Sequence, residues 1–128
     1  MKSEAFNIDC MKYMKQCRDK QFDLAIVDPP YGIEEMTGKN PAAGRGKLKL
    51  RVFNREEKKF NAWDKKPSKD YFTELFRVSK NQVIFGGNYF DLPPVRCFIV
   101  WDKCQPFPSF SACEFAWTSF NAPAKIFR

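Results

Sequence analysis

Residues Asp28-Pro29-Pro30-Tyr31 combine types that can hold an amino group carried on a flat ring. Asp28 offers a carboxylate, which accepts hydrogen bonds through two oxygens, and the Pro29 carbonyl offers another acceptor. Two consecutive prolines fix φ and bring no N–H of their own, so the backbone there is stiff and its carbonyls have no local donor. Tyr31 adds an aromatic face on which a planar ring can stack. The plain structural alternative is a strand followed by a Pro-Pro turn, and four residues alone do not exclude it.

The elements around this stretch give it a position. Leu24 to Val27 is apolar, branched and too short for a helix, which predicts a strand buried on both faces as in a parallel sheet. Asp28 then stands at the carboxyl end of that strand, where ligands enter the crevices of open α/β sheets. Upstream, Ala5–Ile8 reads as a short strand and Asp9 as the N-cap of a helix from Cys10 to about Arg18, making a βαβ unit. Downstream, Ser68 is placed to cap a helix over Lys69–Val78 that Asn81 would end. A strand over Gln82–Phe85 follows, and Gly86-Gly87-Asn88 forms a second loop at a carboxyl end, with Asn88 near the same crevice. Cys97–Lys103 and Cys113–Thr118 read as an antiparallel hairpin, with a surface ion pair among Asp102, Lys103 and Glu114.

Between these halves the pattern dissolves. From about residue 33 to 66 the chain reads as one long mobile loop. Residues 34–66 hold ten lysines and arginines against five acids, +5 of the net +7 of the whole chain. Its most basic part places Arg45, Lys47, Lys49 and Arg51 at alternate positions, a spacing suited to tracking a phosphate backbone; a solvated loop is the bland counterpart.

Composition narrows the chemistry further. The 128 residues suffice for one domain, and 14 phenylalanines argue for a folded one. With no histidine anywhere, Ser-His-Asp and Cys-His nucleophilic sites and histidine-ligated metals are excluded. The five cysteines include no C-x-x-C pair, so no metal is expected and reduced thiols are the simplest state. No apolar run approaches the ~20 residues of a membrane span, and a cytoplasmic location follows as the expectation.

The Asp-Pro-Pro-Tyr stretch resembles the signature of S-adenosylmethionine-dependent DNA amino-methyltransferases, the N6-adenine and N4-cytosine enzymes. Asn7-Ile8-Asp9-Cys10, Phe22 to Tyr31, Phe76-Arg77-Val78, Ile84 to Phe90, Ile99 to Lys103 and Glu114 to Thr118 together look like the first part of a phage-type methylase. The resemblance implies a bacterial or phage-encoded enzyme with DNA as partner and S-adenosylmethionine as cofactor. It implies Asp28, Pro29, Pro30 and Tyr31 at the reacting amine and Asp9 and Asp28 beside the cofactor, and the charge and spacing of Arg45, Lys47, Lys49 and Arg51 assign them to the DNA partner. The implied fold is α/β, a Rossmann-like sheet of order 3-2-1-4-5-7-6, with residues 1–128 forming a partial catalytic domain. The five expected strands correspond to 3, 4, 5, 6 and 7, and strands 1 and 2 have no counterpart; Phe85-Gly86-Gly87-Asn88 is not the family's Phe-x-Gly-x-Gly loop, because its glycines are adjacent. An exposed edge on strand 4 would follow, covered by a second copy or by strand exchange. Cytosine N4 or RNA as acceptor, and a non-catalytic nucleic-acid-binding remnant, remain open as alternatives.

Overall fold

A computed structural model describes residues 2–32, 64–107 and 111–128. They form an open, mixed α/β sheet of five strands with helices α1 (Cys10–Met14) and α2 (Lys69–Val78). The strands are β1 (Phe22–Val27), β2 (Ser79–Phe85), β3 (Phe98–Asp102), β4 (Cys113–Thr118) and β5 (Lys125–Phe127), in the order β1-β2-β4-β3-β5. β1 and β2 run parallel, with Val27 opposite Ile84. β4 lies antiparallel to both β2 and β3, as the hairpin reading expects, and β5 runs parallel to β3.

Apolar side chains from one face of the sheet meet the helices in the core. Ile84 is fully buried and packs with Met14, Leu75, Val78, Phe90 and Trp117. The Trp117 indole N–H reaches the Pro93 carbonyl at 2.8 Å, so its polar end is satisfied. Two cations bind the first third of the chain to α2. Arg77 donates to the Met14 and Cys17 carbonyls at 2.7 and 2.9 Å and to the Asp19 and Glu74 carboxylates. Lys20, whose φ of 54° is left-handed, donates through Nζ to the Phe76 carbonyl at 2.6 Å and the Ser79 carbonyl at 3.1 Å. Of these carbonyls, Met14 and Phe76 lie in the last turns of α1 and α2, where the helix dipole favours cations.

Several expectations are corrected. Ala5–Ile8 forms no strand, so there is no βαβ unit at the N-terminus; it pairs with none of the described strands, and the Phe6 ring stacks on Tyr13. The fifth strand is Lys125–Phe127, which the sequence reading passed over. β1 is open on one face rather than buried on both: Leu24 and Ile26 are 44% and 64% exposed, while Ala25 and Val27 face the core, and among the described residues β1 is also the edge strand of the sheet. Helix α1 stops at Met14, well short of Arg18. Helix α2 gives way at Val78, with Ser79 already in β2, so Asn81 lies within a strand rather than at a helix end. Ser68 sits at the N-cap position of α2 without a capping side-chain bond.

The junction of α2 and β2 is a buried polar knot. Ser79 Oγ donates to the Leu75 carbonyl at 2.5 Å and accepts from Gln82 Nε2 at 2.9 Å, and Gln82 is only 3% exposed. Replacing Ser79 by alanine removes both bonds and should destabilise the fold by about 1–3 kcal/mol, the usual cost of breaking buried polar pairing. A urea titration checks this; an unchanged midpoint would mean that the knot contributes nothing.

Candidate functional site

The site grows from the carboxyl end of β1. Because β1 and β2 are parallel, Asp28 and the Gly86 turn leave the sheet at the same end. Asp28 is exposed, Pro29 buried and Pro30 half-buried. The Tyr31 hydroxyl donates to Asp28 Oδ1 at 2.7 Å, and its ring stacks on Tyr89 with centroids 4.8 Å apart and planes 17° from parallel. Phe90 meets the Tyr31 ring edge-on at 6.2 Å. Burial first, then the Asp28 bond and charge, pushes the Tyr31 phenol well above its ordinary value, so Tyr31 stays a donor to Asp28.

A cavity of about 370 Å³ opens beside this pair, lined by Val27, Asp28, Pro29 and Pro30 with Cys10, Lys65, Pro67 and Tyr71. Its size falls near the lower end for small-molecule clefts, and its wall is mostly apolar, with Asp28, Lys65, Cys10 and Tyr71 the residues on it that carry polar groups. Burial, followed by the neighbouring Cys10, pushes the Tyr71 phenol up to about 12.

The sequence-derived residues fall into three groups. Asp28, Pro29, Pro30 and Tyr31 come together as one unit at the strand end. Asp9 has its carboxylate on the Lys12 N–H at 3.0 Å as the N-cap of α1, and its neighbour Cys10 is the residue that reaches the cavity wall. Arg45, Lys47, Lys49 and Arg51, and most of the basic loop expected over residues 33–66, lie outside the described residues. Asn88 is exposed on a single 3₁₀ turn and does not line the cavity. Lys103 and Glu114 form the expected ion pair, both partly buried, while Asp102 pairs with Arg128 at 3.0 Å.

Two contributors escaped the sequence reading. The Gly32 N–H donates to Asp64 Oδ1 at 2.9 Å, and Asp64 is 9% exposed, so the chain entering and leaving residues 33–63 is pinned at one point beside Tyr31. Asp64 begins a charged run with Lys65 and Lys66, which disguised it as surface. Tyr89 forms the other half of the aromatic pair; its only signal was the glycine pair before it, which allows a close backbone approach. Among the described residues there is no group of three or more histidine, cysteine or acidic side chains fit to hold a metal, and no helix long and apolar enough to cross a membrane.

Comparison with protein-family models, with curated proteins and with solved structures gave no match.

Tyr71 makes the cavity wall sensitive to alkali. Its folded value of about 12 lies above the ordinary phenol value of 10.0, so the stability from burying the neutral ring is complete below the lower figure. As pH rises between the two the unfolded chain loses its proton first, and that stability drains away. Tyr71→Phe should therefore lose less stability than the parent between about pH 8 and about pH 11, read as urea midpoints; equal losses would remove Tyr71 from this role.

Proposed function

We propose that this chain carries the target-amine half of an S-adenosylmethionine-dependent DNA amino-methyltransferase acting on adenine N6. The observation that carries the reading is Asp28, exposed at a strand's carboxyl end, bonded by the Tyr31 hydroxyl and bordering a cavity. The sheet adds support: β1-β2-β4-β3 has the order 4-5-7-6 of the Rossmann-like methyltransferase sheet.

An exocyclic amine conjugated to a purine is a poor nucleophile, because its lone pair is delocalised into the ring. Asp28 accepts from Tyr31 through Oδ1 and retains lone pairs for an amine N–H. Holding that N–H favours a more tetrahedral nitrogen and aims its lone pair, while the carboxylate offsets the positive charge that grows there. Positioning and charge stabilisation of this kind are each worth several kcal/mol of barrier. Since the amine is paired in a duplex, the base must be extruded at a cost of a few kcal/mol, and stacking on Tyr31 returns roughly 1–3 kcal/mol.

The cofactor supplies a methyl group made electrophilic by its sulfonium. The apolar cavity wall suits part of an adenosyl group, and Asp28 suits a cationic centre beside it. The described residues therefore fit a portion of that ligand, and the glycine loop of the family pattern is not in this sequence.

Asp28→Ala should abolish methyl transfer to DNA, read with a labelled methyl donor, while DNA affinity stays within about twofold, since phosphate contacts dominate it. Turnover by the alanine variant would end the proposed role. Calorimetry of the chain with S-adenosylmethionine separates an enzyme, which binds it, from a nucleic-acid-binding remnant, which does not.

The assignment of Arg45, Lys47, Lys49 and Arg51 to DNA rests on charge and spacing in the sequence. If all four neutralise phosphates, changing them together to alanine should flatten the slope of log affinity against log salt by about 3–4. An unaltered slope would make the segment a solvated one.

A further inference from the structure

The turn after β2 has no part in the chemistry just described, yet it governs the residue on which the base would stack. Gly86 holds a φ of 65°, and a Cβ built there would lie 2.2 Å from Tyr31 Cε1, 2.6 Å from Cζ and 2.7 Å from Cδ1. No side chain fits. The Tyr31 ring has little room to yield, because its hydroxyl is tied to Asp28 at 2.7 Å and one of its faces is covered by Tyr89. Tyr89 is in turn fixed by the turn itself, its N–H donating to the Gly86 carbonyl at 2.9 Å, and Gly86 N–H is held by the Phe115 carbonyl of β4 at 2.9 Å. A Cβ on Gly87 would meet Trp117 Cβ at 2.4 Å, so the turn is pressed onto β4 as well.

We propose that the Gly86–Tyr89 turn is the positioning element of the base platform: Gly86 makes the seat for the Tyr31 ring, and Tyr89 backs it, so that Tyr31 is set in its stacking orientation before a nucleobase arrives. The proposal rests on the reading of Tyr31 as that platform and adds the residues that act through it. Neither Gly86 nor Tyr89 touches the reacting atoms. Their effect is preorganisation: a ring already immobilised does not lose rotamer freedom when the ligand binds. A parallel aromatic pair is worth enough for loss of the backing ring to weaken base binding by about three- to tenfold.

The test uses the full chain and a single-stranded oligonucleotide containing 2-aminopurine, whose fluorescence is quenched when it stacks on an aromatic ring. Tyr31→Ala should abolish the quenching. Tyr89→Ala and Gly86→Ala should weaken binding by about three- to tenfold and reduce the quenching amplitude, and Tyr89→Phe should restore both, because the stack needs a ring and not a hydroxyl. Urea midpoints identify any variant that fails to fold, and the Tyr89 pair decides the matter if Gly86→Ala is one of them. Full quenching by Tyr89→Ala would overturn the proposal, as would a Tyr89→Phe variant as weak as the alanine one, or a parent chain that does not quench. Because no cofactor or methyl transfer enters this measurement, a chain that quenches as expected but never methylates would refute the methyltransferase reading and leave the positioning role standing.

Discussion

The parallel pairing of β1 with β2 is the constraint on which the remainder depends. Parallel neighbours cannot be joined by a tight turn, so the chain must cross over, here through the stretch that ends in α2. In return both strands deliver their carboxyl ends to the same side. Asp28 and Tyr31 leave one strand and the Gly86 turn leaves the other, and the aromatic pair Tyr31–Tyr89 joins the two exits. An antiparallel pairing of the same strands would have sent these residues to opposite ends of the sheet.

Cations secure the crossover from below. Arg77 and Lys20 reach the carbonyls of Met14, Cys17, Phe76 and Ser79, across sequence separations of 56 to 63 residues. Glu74 and Asp19 keep the Arg77 guanidinium firmly charged, and Glu74 is itself held below its usual range, first by its hydrogen bond from Arg77. Charge from a protein rich in basic residues is thus partly spent inside the fold, holding α1 and α2 in register behind the site.

What could be read from residue types alone was the punctuation of the chain. Asp28-Pro29-Pro30 ends a strand because proline cannot continue one, Asp9 caps a helix because its side chain accepts a free N–H, and the glycine pair breaks away from β2. Neighbourhood was not legible. Leu24 and Ile26 are as apolar as any core residues, and nothing in their identity reports that their face of β1 lies open among the described residues. Ala5–Ile8 has the composition of a strand but pairs with no strand among the described residues, while Lys125–Phe127 becomes one because β3 offers it a free edge. The same limit applied at the site: that Tyr31 rests on Tyr89, and that Asp64 returns to Gly32, depends on contacts between distant parts of the chain.

The bond between the Gly32 N–H and Asp64 makes the two ends of a 31-residue stretch into a single point of attachment. Loop-closure entropy grows slowly with length, each doubling costing only about 0.6 kcal/mol. An insertion fastened at such a stem can be lengthened, shortened or exchanged with little consequence for the sheet behind it. The Gly32–Asp64 bond thereby ties both flanks of that stretch to the sheet at one stem, beside the strand ends that carry Asp28 and Gly86.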